Sequence, residues 1–386
     1  MQNFEFYNPT KIFFGEDQFD HLNQEIDTKE KVLLLYGGGS IKKYGVYGKV
    51  MSALKDHEVH EFGGIPPNPE YEVLLQALEV IKKVKITYLL AVGGGSVIDG
   101  TKFLASAALS SEEEPWKILK DGIRTTNAMP FGTVLTLPAT GSEMNSGAVV
   151  TRKETGEKLG MGGPGLFPQF SILDPNVVST LPKRQIANGI TDAFVHVMEQ
   201  YMTYPAGGIL QDRLAESIMQ TLIEVGPRVL KNPDDYEAAS NFMWSCTMAL
   251  NGIIQKGVPT DWAIHAMGHE LTAQFGIDHA RTLAIIAASH YEYNFETKRE
   301  KLAQFGRRVW GINGDDDSVV AKQAIVQMNE FFTSLGIDIN LSKYTDDYKG
   351  SALKTANALR ERGWNGIGEH RNLTPDDVEK IVEMSY

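Results

Sequence analysis

The chain has 386 residues, 42% of them hydrophobic and 22% charged, an ordinary composition for a globular protein of about two domains. Its formal net charge of −12, without a dense Lys/Arg run, argues against binding to nucleic acid or to an anionic membrane. No apolar run reaches the ~20 residues of a membrane span, the N-terminus lacks a secretory signal pattern, and the single cysteine cannot form an internal disulfide. We therefore expect a cytoplasmic protein.

The first half of the sequence alternates short apolar segments with helical ones. Apolar runs at 31–36 and 87–92 each end in Gly-Gly-Gly-Ser, and a third run follows at 132–138. Between the first two, residues 70–85 have apolar side chains at helical spacing. Short apolar strands separated by helices are typical of a parallel sheet covered on both faces. The pattern predicts an α/β domain over residues 1–182.

Beyond this domain, long amphipathic segments such as 208–226 replace the short strands. One of them ends at Gly336, a typical helix C-cap, and Thr374 followed by Pro375 indicates the start of a last helix. The pattern predicts an all-helical domain over residues 183–386.

Both Gly-Gly-Gly-Ser turns follow a predicted strand and precede a predicted helix. Such a turn lets a phosphate approach the backbone, where free amide groups and the helix dipole bind it. Neither turn fits the G-x-G-x-x-G pattern, because Lys42 and Ile98 stand at the third glycine position. A single Gly-Gly-Gly-Ser sequence is often only a tight turn without a ligand. Two of them, together with residues 140–143, favour a large phosphate-bearing ligand.

Asp192 and His196 are four residues apart, as are His265 and His269, and His279 follows ten residues later. A helix places positions four apart on one face, so each pair can point at one spot. An Asp with several neutral imidazoles is a ligand set for Zn²⁺ or Fe²⁺. Spacing alone leaves open which histidines complete the site. Short histidine pairs also recur by chance, yet two pairs and a further histidine among nine favour a metal centre.

Long motifs in the chain resemble the iron-containing (group III) alcohol dehydrogenases. They include GGGSVIDGTK at 93–102, PATGSE at 138–143, GVPTDWAIHAMGHELTA at 257–273 and the Asp/His set, and the resemblance covers essentially the whole chain. It is closest to the NADPH-dependent aldehyde reductase and butanol dehydrogenase branch. It implies a dehydroquinate-synthase-like fold, with an N-terminal nucleotide domain and a C-terminal helical metal domain. The implied reaction is metal-dependent hydride transfer between NADP(H) and short-to-medium aliphatic aldehydes or primary alcohols.

The resemblance also implies roles for individual residues. One divalent metal, Fe²⁺ or Zn²⁺, is expected on Asp192, His196, His265 and His279, with His269 as a catalytic residue facing nicotinamide and substrate. The residues implied to line the cofactor groove are Gly38, Ser40, Gly94, Gly95, Ser96, Asp99, Thr136, Asn145, Gly147 and Lys158. Without the resemblance, Asn145 and Lys158 are ordinary polar loop residues.

The first glycine turn bears on the choice between NAD and NADP. NAD-preferring relatives tend to have an Asp there, which accepts hydrogen bonds from the ribose hydroxyls and repels a 2′-phosphate. This chain has no carboxylate in residues 37–40, and Lys42 and Lys43 follow, so we predict NADP(H). A solvated helix face explains at least one of these lysines equally well.

Other functions remain open at this point. A glycerol dehydrogenase-like polyol oxidoreductase using NAD typically has three metal ligands. A dehydroquinate-synthase-like lyase needs cationic side chains near the metal for an acidic substrate, and residues 262–280 contain no Lys or Arg. A non-catalytic metal- or nucleotide-binding protein would not oxidise its cofactor when given an aldehyde.

Dimers are common in the aldehyde reductase branch, and the exposed strand predicted at 4–15 is a candidate for pairing in a homodimer.

Overall fold

The computed structural model describes residues 1–386 and divides the chain into two compact units. The α/β unit comprises Tyr7–Leu181, and the helical unit comprises Pro182–Tyr386 together with Met1–Phe6. The first six residues thus belong to the helical unit and not to the α/β domain predicted from the sequence. They are fixed there in part by the Gln2 amide, which donates to the Gly257 carbonyl at 2.9 Å. None of the helices has the length and apolar character that crossing a membrane requires.

The α/β unit contains eight strands and six helices. The strands are β1 (Lys11–Phe14), β2 (Lys31–Tyr36), β3 (Glu58–Phe62), β4 (Tyr88–Gly94), β5 (Phe131–Leu137), β6 (Gly147–Arg152), β7 (Glu157–Gly162) and β8 (Phe170–Leu173). The helices are α1 (His21–Glu25), α2 (Ser40–Lys43), α3 (Val46–Ala53), α4 (Tyr71–Val84), α5 (Gly95–Ala107) and α6 (Lys117–Lys120).

Six of the strands form one wholly parallel sheet in the order β1-β8-β5-β4-β2-β3, and β6 pairs with β7 in an antiparallel hairpin. The predicted parallel sheet is confirmed. The chain passes from β2 to β3 in one direction and from β4 through β5 to β8 in the other. Ligands of open α/β sheets bind beyond the strand carboxyl ends where the order reverses. Here that point lies between β2 and β4, the two strands that lead into the Gly-Gly-Gly-Ser turns.

The central strands consist of continuous apolar runs because both faces of the sheet are covered. In β2, residues 32–35 are completely buried, and in β4 residues 89–92 are completely buried as well. The strand predicted at 4–15 is too long, since only residues 11–14 are in a strand, at the sheet edge beside β8. Pro9 lacks an amide hydrogen and so cannot donate to a strand ladder.

The helical unit contains nine helices, which confirms the helical domain predicted from the sequence. They are α7 (Lys183–Tyr201), α8 (Ile209–Lys231), α9 (Tyr236–Ala249), α10 (Ala263–Phe275), α11 (His279–Tyr293), α12 (Phe295–Val309), α13 (Asp317–Ser334), α14 (Ser351–Glu361) and α15 (Pro375–Met384). Gly336 has the positive φ of 76° expected just past a helix end. Thr374 and Asp377 form a reciprocal capping box at the start of α15.

We expect the substitution Gly132→Ala to destabilise the sheet. A Cβ atom at this β5 position would lie 2.4–2.9 Å from three ring atoms of Phe170, which is fully buried on β8. Overpacking of this kind costs roughly 1–3 kcal/mol in the free energy of unfolding, which urea denaturation measures. In the control, Gly48→Ala in α3, the added Cβ meets nothing within 4 Å. The free energy of unfolding of this control should be unchanged or slightly higher than that of the wild type. Equal losses in both variants would contradict the steric explanation.

Candidate active site

Three helices of the helical unit bring the predicted metal ligands together. Asp192 and His196 lie on α7, His265 lies on α10, and His279 is the first residue of α11. One ligand atom from each of Asp192, His265 and His279 lies within 4.8 Å of the other two. Metal–nitrogen and metal–oxygen bonds are about 2.0–2.2 Å long, so a single cation can bridge atoms at this separation with small adjustments.

The other two predicted residues border this group. The His196 ring stacks on the His265 ring at a centroid distance of 4.7 Å, and its Nδ1 lies 3.9 Å from Asp192 Oδ1. The His269 ring lies 4.6 Å from the His279 ring and 6.1 Å from the His265 ring. The structure therefore gathers all five side chains. His196 is adjacent to the three converging ligand atoms and does not converge with them.

The chemistry of this group fits a divalent cation. Asp192 is buried, with 4% of its surface exposed, and its Oδ1 has no hydrogen-bond donor. A buried ionised carboxylate oxygen without a donor is costly, and a cation among the imidazoles removes that cost. Three neutral imidazoles and one carboxylate are ligands that Zn²⁺ and Fe²⁺ both accept.

Glu199, a fully buried residue of α7, also belongs to this site and was not among the residues predicted from the sequence. Its Oε1 accepts from the Ile264 amide at 2.7 Å and its Oε2 from the His265 amide at 3.1 Å, and Oε2 also contacts His265 Nδ1. Burial and the nearby Asp261 carboxylate raise the pKa of Glu199 to about 8. The sequence carried a signal for this residue, because positions 192, 196 and 199 are spaced to share one helix face.

A cluster of charged side chains also fixes the start of α10. Asp261 accepts from the Ala263 amide at 3.0 Å and from Lys298 Nζ at 2.8 Å. Lys298 Nζ also donates to Glu369 at 2.8 Å. Although burial opposes the shift, the charges of His290 and Lys298 hold the pKa of Asp261 well below its usual range. The first turn of the helix that carries His265 is therefore fixed by charged groups on both sides.

In the α/β unit, the first Gly-Gly-Gly-Ser turn follows β2, the second spans the end of β4 and the start of α5, and the segment 138–145 follows β5. These three parallel strands are adjacent in the sheet. The second turn packs tightly: a Cβ at Gly94 would lie 2.9 Å from Leu137 Cβ, and one at Gly95 would lie 2.5 Å from Thr140 Oγ1. Only glycine fits at these positions, and the close packing leaves the N-terminus of α5 at the strand ends. A helix N-terminus in this place suits a phosphate.

A buried lysine, also missed from the sequence, joins α5 to the segment after β5. Lys102 Nζ donates to Ser142 Oγ at 2.9 Å, to Asn145 Oδ1 at 2.9 Å and to the Gly147 carbonyl at 2.8 Å. Asp99 accepts from the same Ser142 hydroxyl at 2.6 Å. Burial lowers the pKa of Lys102 to about 8. Three predicted cofactor residues, Asp99, Asn145 and Gly147, thus share one hydrogen-bond network.

The remaining predicted cofactor residues lie near the same strand ends. Lys158, on β7, donates to Asn68 Oδ1 at 3.0 Å, and the Asn68 amide donates to Ser96 Oγ at 3.1 Å. Thr136 is the penultimate residue of β5 and is partly exposed. Gly38 and Ser40 are exposed in the first glycine turn.

Lys42, expected to be available for a 2′-phosphate, is already engaged. Its Nζ lies 2.9 Å from Glu61 Oε2 and sits over the rings of Tyr36 and Tyr47 at 4.9 and 4.7 Å. The hydrogen bonds with Tyr36 and Glu61 raise the pKa of Lys42 further. The Lys43 ammonium lies 4.9 Å over the Tyr44 ring. The open, uncharged glycine turn therefore supports NADP(H) more strongly than these lysines do.

Known proteins share both the fold and the sequence of this chain. Residues 9–175 match the family described as iron-containing alcohol dehydrogenase, and residues 186–386 match its C-terminal domain family. The NADPH-dependent aldehyde reductase YqhD of Escherichia coli is 48% identical over the full length of both chains. The NADH-dependent butanol dehydrogenase A of Clostridium acetobutylicum is 37% identical, also over both full lengths. A crystal structure of E. coli YqhD covers 100% of this chain and 99% of its own, with a TM-score of 0.98 and 47% identity. The chain belongs to the iron-containing alcohol dehydrogenase family.

Proposed function

We propose that this chain is a metal-dependent oxidoreductase that interconverts short-to-medium aliphatic aldehydes and primary alcohols with NADP(H). The convergence of Asp192, His265 and His279 on one point carries the proposal, because it supplies the ligands of a Lewis-acidic cation. The relative with 48% identity is named an NADPH-dependent aldehyde reductase, which supports the same reaction. The cytoplasmic location and the homodimer expected from the sequence stay predictions.

Each group of side chains has a separate role in this reaction. When bound, the cation polarises a carbonyl oxygen and the nicotinamide supplies a hydride. Four side chains would hold the cation, those of Asp192, His196, His265 and His279. His269 borders the group and is partly exposed, so its imidazole nitrogen is suited to give a proton to the product oxygen.

The strand ends of the α/β unit would bind the cofactor. The N-terminus of α5, opened by Gly94 and Gly95, would receive the pyrophosphate. Lys102 would hold Asn145 and Gly147 in place beside it. The relatives differ in the cofactor for which they are named, NADPH in one and NADH in another. These cofactors differ at their adenosine end. The turn at Gly38–Ser40 contains no carboxylate and no crowding around Gly39, which favours the 2′-phosphate of NADPH.

One observation favours a second candidate. Only three ligand atoms converge, and a three-ligand site is typical of the NAD-linked polyol enzymes considered above. The deciding experiment is an activity panel on protein reconstituted with Zn²⁺ or Fe²⁺. It should compare NADPH and NADH against aldehydes of increasing length, and NAD⁺ against glycerol. Faster oxidation of glycerol with NAD⁺ than reduction of any aldehyde would replace the proposed function by this second candidate.

We expect His265→Ala and His279→Ala each to remove a metal ligand, so that the purified protein loses its cation and its turnover. The α/β unit should still bind NADPH, because the changed residues lie in the helical unit. Elemental analysis and cofactor fluorescence measure the two properties separately. Stoichiometric metal with a near-normal rate in either variant would show that the ligand assignment is wrong.

His269→Ala should keep the metal but slow turnover, because the proposed task of this residue is proton delivery. General acid–base catalysis is typically worth on the order of 10²–10⁴-fold in rate. The measurement is kcat across pH together with metal content. A rate unchanged at every pH would exclude His269 from the mechanism, and loss of the metal would make it a ligand.

Gly39→Asp should place a carboxylate against the adenosine 2′-phosphate. Two charges ~4 Å apart interact by about 1 kcal/mol in water and about 4 kcal/mol at an effective dielectric constant of 20. We therefore expect kcat/KM for NADPH to fall by roughly tenfold or more, and kcat/KM for NADH to fall less or to rise.

The matched control is Gly39→Asn, which has the same shape without the charge. Gly39 has a φ of 93°, a conformation that strains most side chains and that Asn and Asp tolerate better than others. The difference between the two variants therefore measures charge and excludes backbone strain. If both variants lose NADPH efficiency equally, or if the wild type prefers NADH, the interpretation of the first glycine turn is wrong.

A further inference from the structure

Glu199 lies on α7, but its hydrogen bonds go to the start of α10. It accepts from the backbone amides of Ile264 and His265 at 2.7 and 3.1 Å, and its Oε2 contacts the Nδ1 atom of the His265 ring. The side chain is completely buried, so water does not compete for these contacts. One carboxylate therefore holds both the backbone and the ring of a single candidate metal ligand.

The contact with the ring determines which nitrogen of His265 carries the proton. The Nδ1 atom faces the Glu199 carboxyl group, whose oxygens already accept from two backbone amides, so Nδ1 is the nitrogen placed to donate and Nε2 keeps its lone pair. A metal binds only the nitrogen with the lone pair. We propose that Glu199 is a positioning residue that fixes this tautomer of His265 and turns its Nε2 toward Asp192 and His279. This inference rests on the proposed metal site and concerns the affinity of that site.

A role limited to capping α10 is the competing explanation. Glu199 satisfies two of the amides at the helix start and Asp261 satisfies a third, that of Ala263. Helix starts need such partners whether or not a metal binds. A cap alone predicts a loss of stability and no particular effect on metal affinity. Removing a carboxylate that orients a ligating histidine typically weakens metal binding by about 10–100-fold.

Glu199→Gln separates the two roles. The amide oxygen can still accept from the Ile264 amide, and the NH₂ group then faces the His265 ring. A donor at that position favours a proton on Nε2, which blocks coordination. We expect the Kd for Zn²⁺ to rise by about 10–100-fold, measured on the metal-free full chain by competition with a chromophoric chelator. The visible absorption bands of the Co²⁺-loaded protein should shift as well, because the coordination of the ion changes.

Glu216→Gln is the matched control. Glu216 is a buried carboxylate of the same unit, with 3% exposure, and it accepts from the Tyr201 hydroxyl at 2.9 Å and from Arg308 at 3.1 Å. Both variants should lower the melting temperature, and only Glu199→Gln should change the Kd for Zn²⁺. A Kd within twofold of wild type in Glu199→Gln, or an equal increase in both variants, would overturn the positioning role.

A second variant covers the case in which Glu199→Gln does not fold. Glu199→Asp keeps the charge and withdraws the carboxylate from the ring by one methylene, so the Kd for Zn²⁺ should again rise about tenfold or more. An unchanged Kd in this variant would also overturn the inference. If the wild type itself binds neither Zn²⁺ nor Co²⁺ stoichiometrically, the proposed metal site is wrong together with the inference. If the wild type binds and the variants bind equally well, only the positioning role is wrong.

Discussion

The candidate active site depends on one constraint, the close approach of α10 and α11. The two helices are joined by a short turn in which Gly276 has a positive φ of 67°, and α11 begins with the candidate ligand His279. Gly268 allows the approach, because a Cβ there would lie 2.9 Å from Leu283 on α11. His265 and His279, fourteen positions apart, become neighbours with ring centroids 5.3 Å apart. Without this approach, α7 would face histidines too widely spaced to share a cation.

The α/β unit uses glycine for a related purpose. Its sheet is buried on both faces, so only the strand ends offer backbone groups to a ligand. Gly94 and Gly95 bring the start of α5 against the segment after β5, and Lys102 ties the two together by three hydrogen bonds. The lysine is held in a place where burial lowers its pKa to about 8, so its contacts must compensate for desolvation. The residues that packing constrains here are therefore among those proposed to bind the cofactor.

The sequence predicts what depends on local patterns. Apolar runs and helical periodicity locate the central strands and the long helices, and four-residue spacing identifies the histidine pairs. The sequence does not predict features that depend on contacts between distant parts of the chain. The shared helix face of positions 192, 196 and 199 does not show that Glu199 contacts α10, and nothing local shows that Lys102 is buried, since such residues are normally exposed unless paired. The ion pair of the exposed Lys42 is likewise not visible from local patterns, because its partner Glu61 lies on another element. The strand predicted at 4–15 is too long because aromatic residues favour strands in general. A segment forms a strand only where a neighbouring strand pairs with it.

The charges around the start of α10 explain why a cation suits this place. The buried Lys298 ammonium contacts the carboxylates of Asp261 and Glu369, and the buried Glu199 lies close to Asp261. If these three carboxylates were ionised, the charges of Lys298 and His290 would balance two of them and leave a net charge of −1, which burial disfavours. The raised pKa of Glu199 is one response to this excess, because a proton there removes one negative charge. A cation held by Asp192 and His265, as proposed above, would place positive charge close to Glu199 and would offset the remaining excess of negative charge.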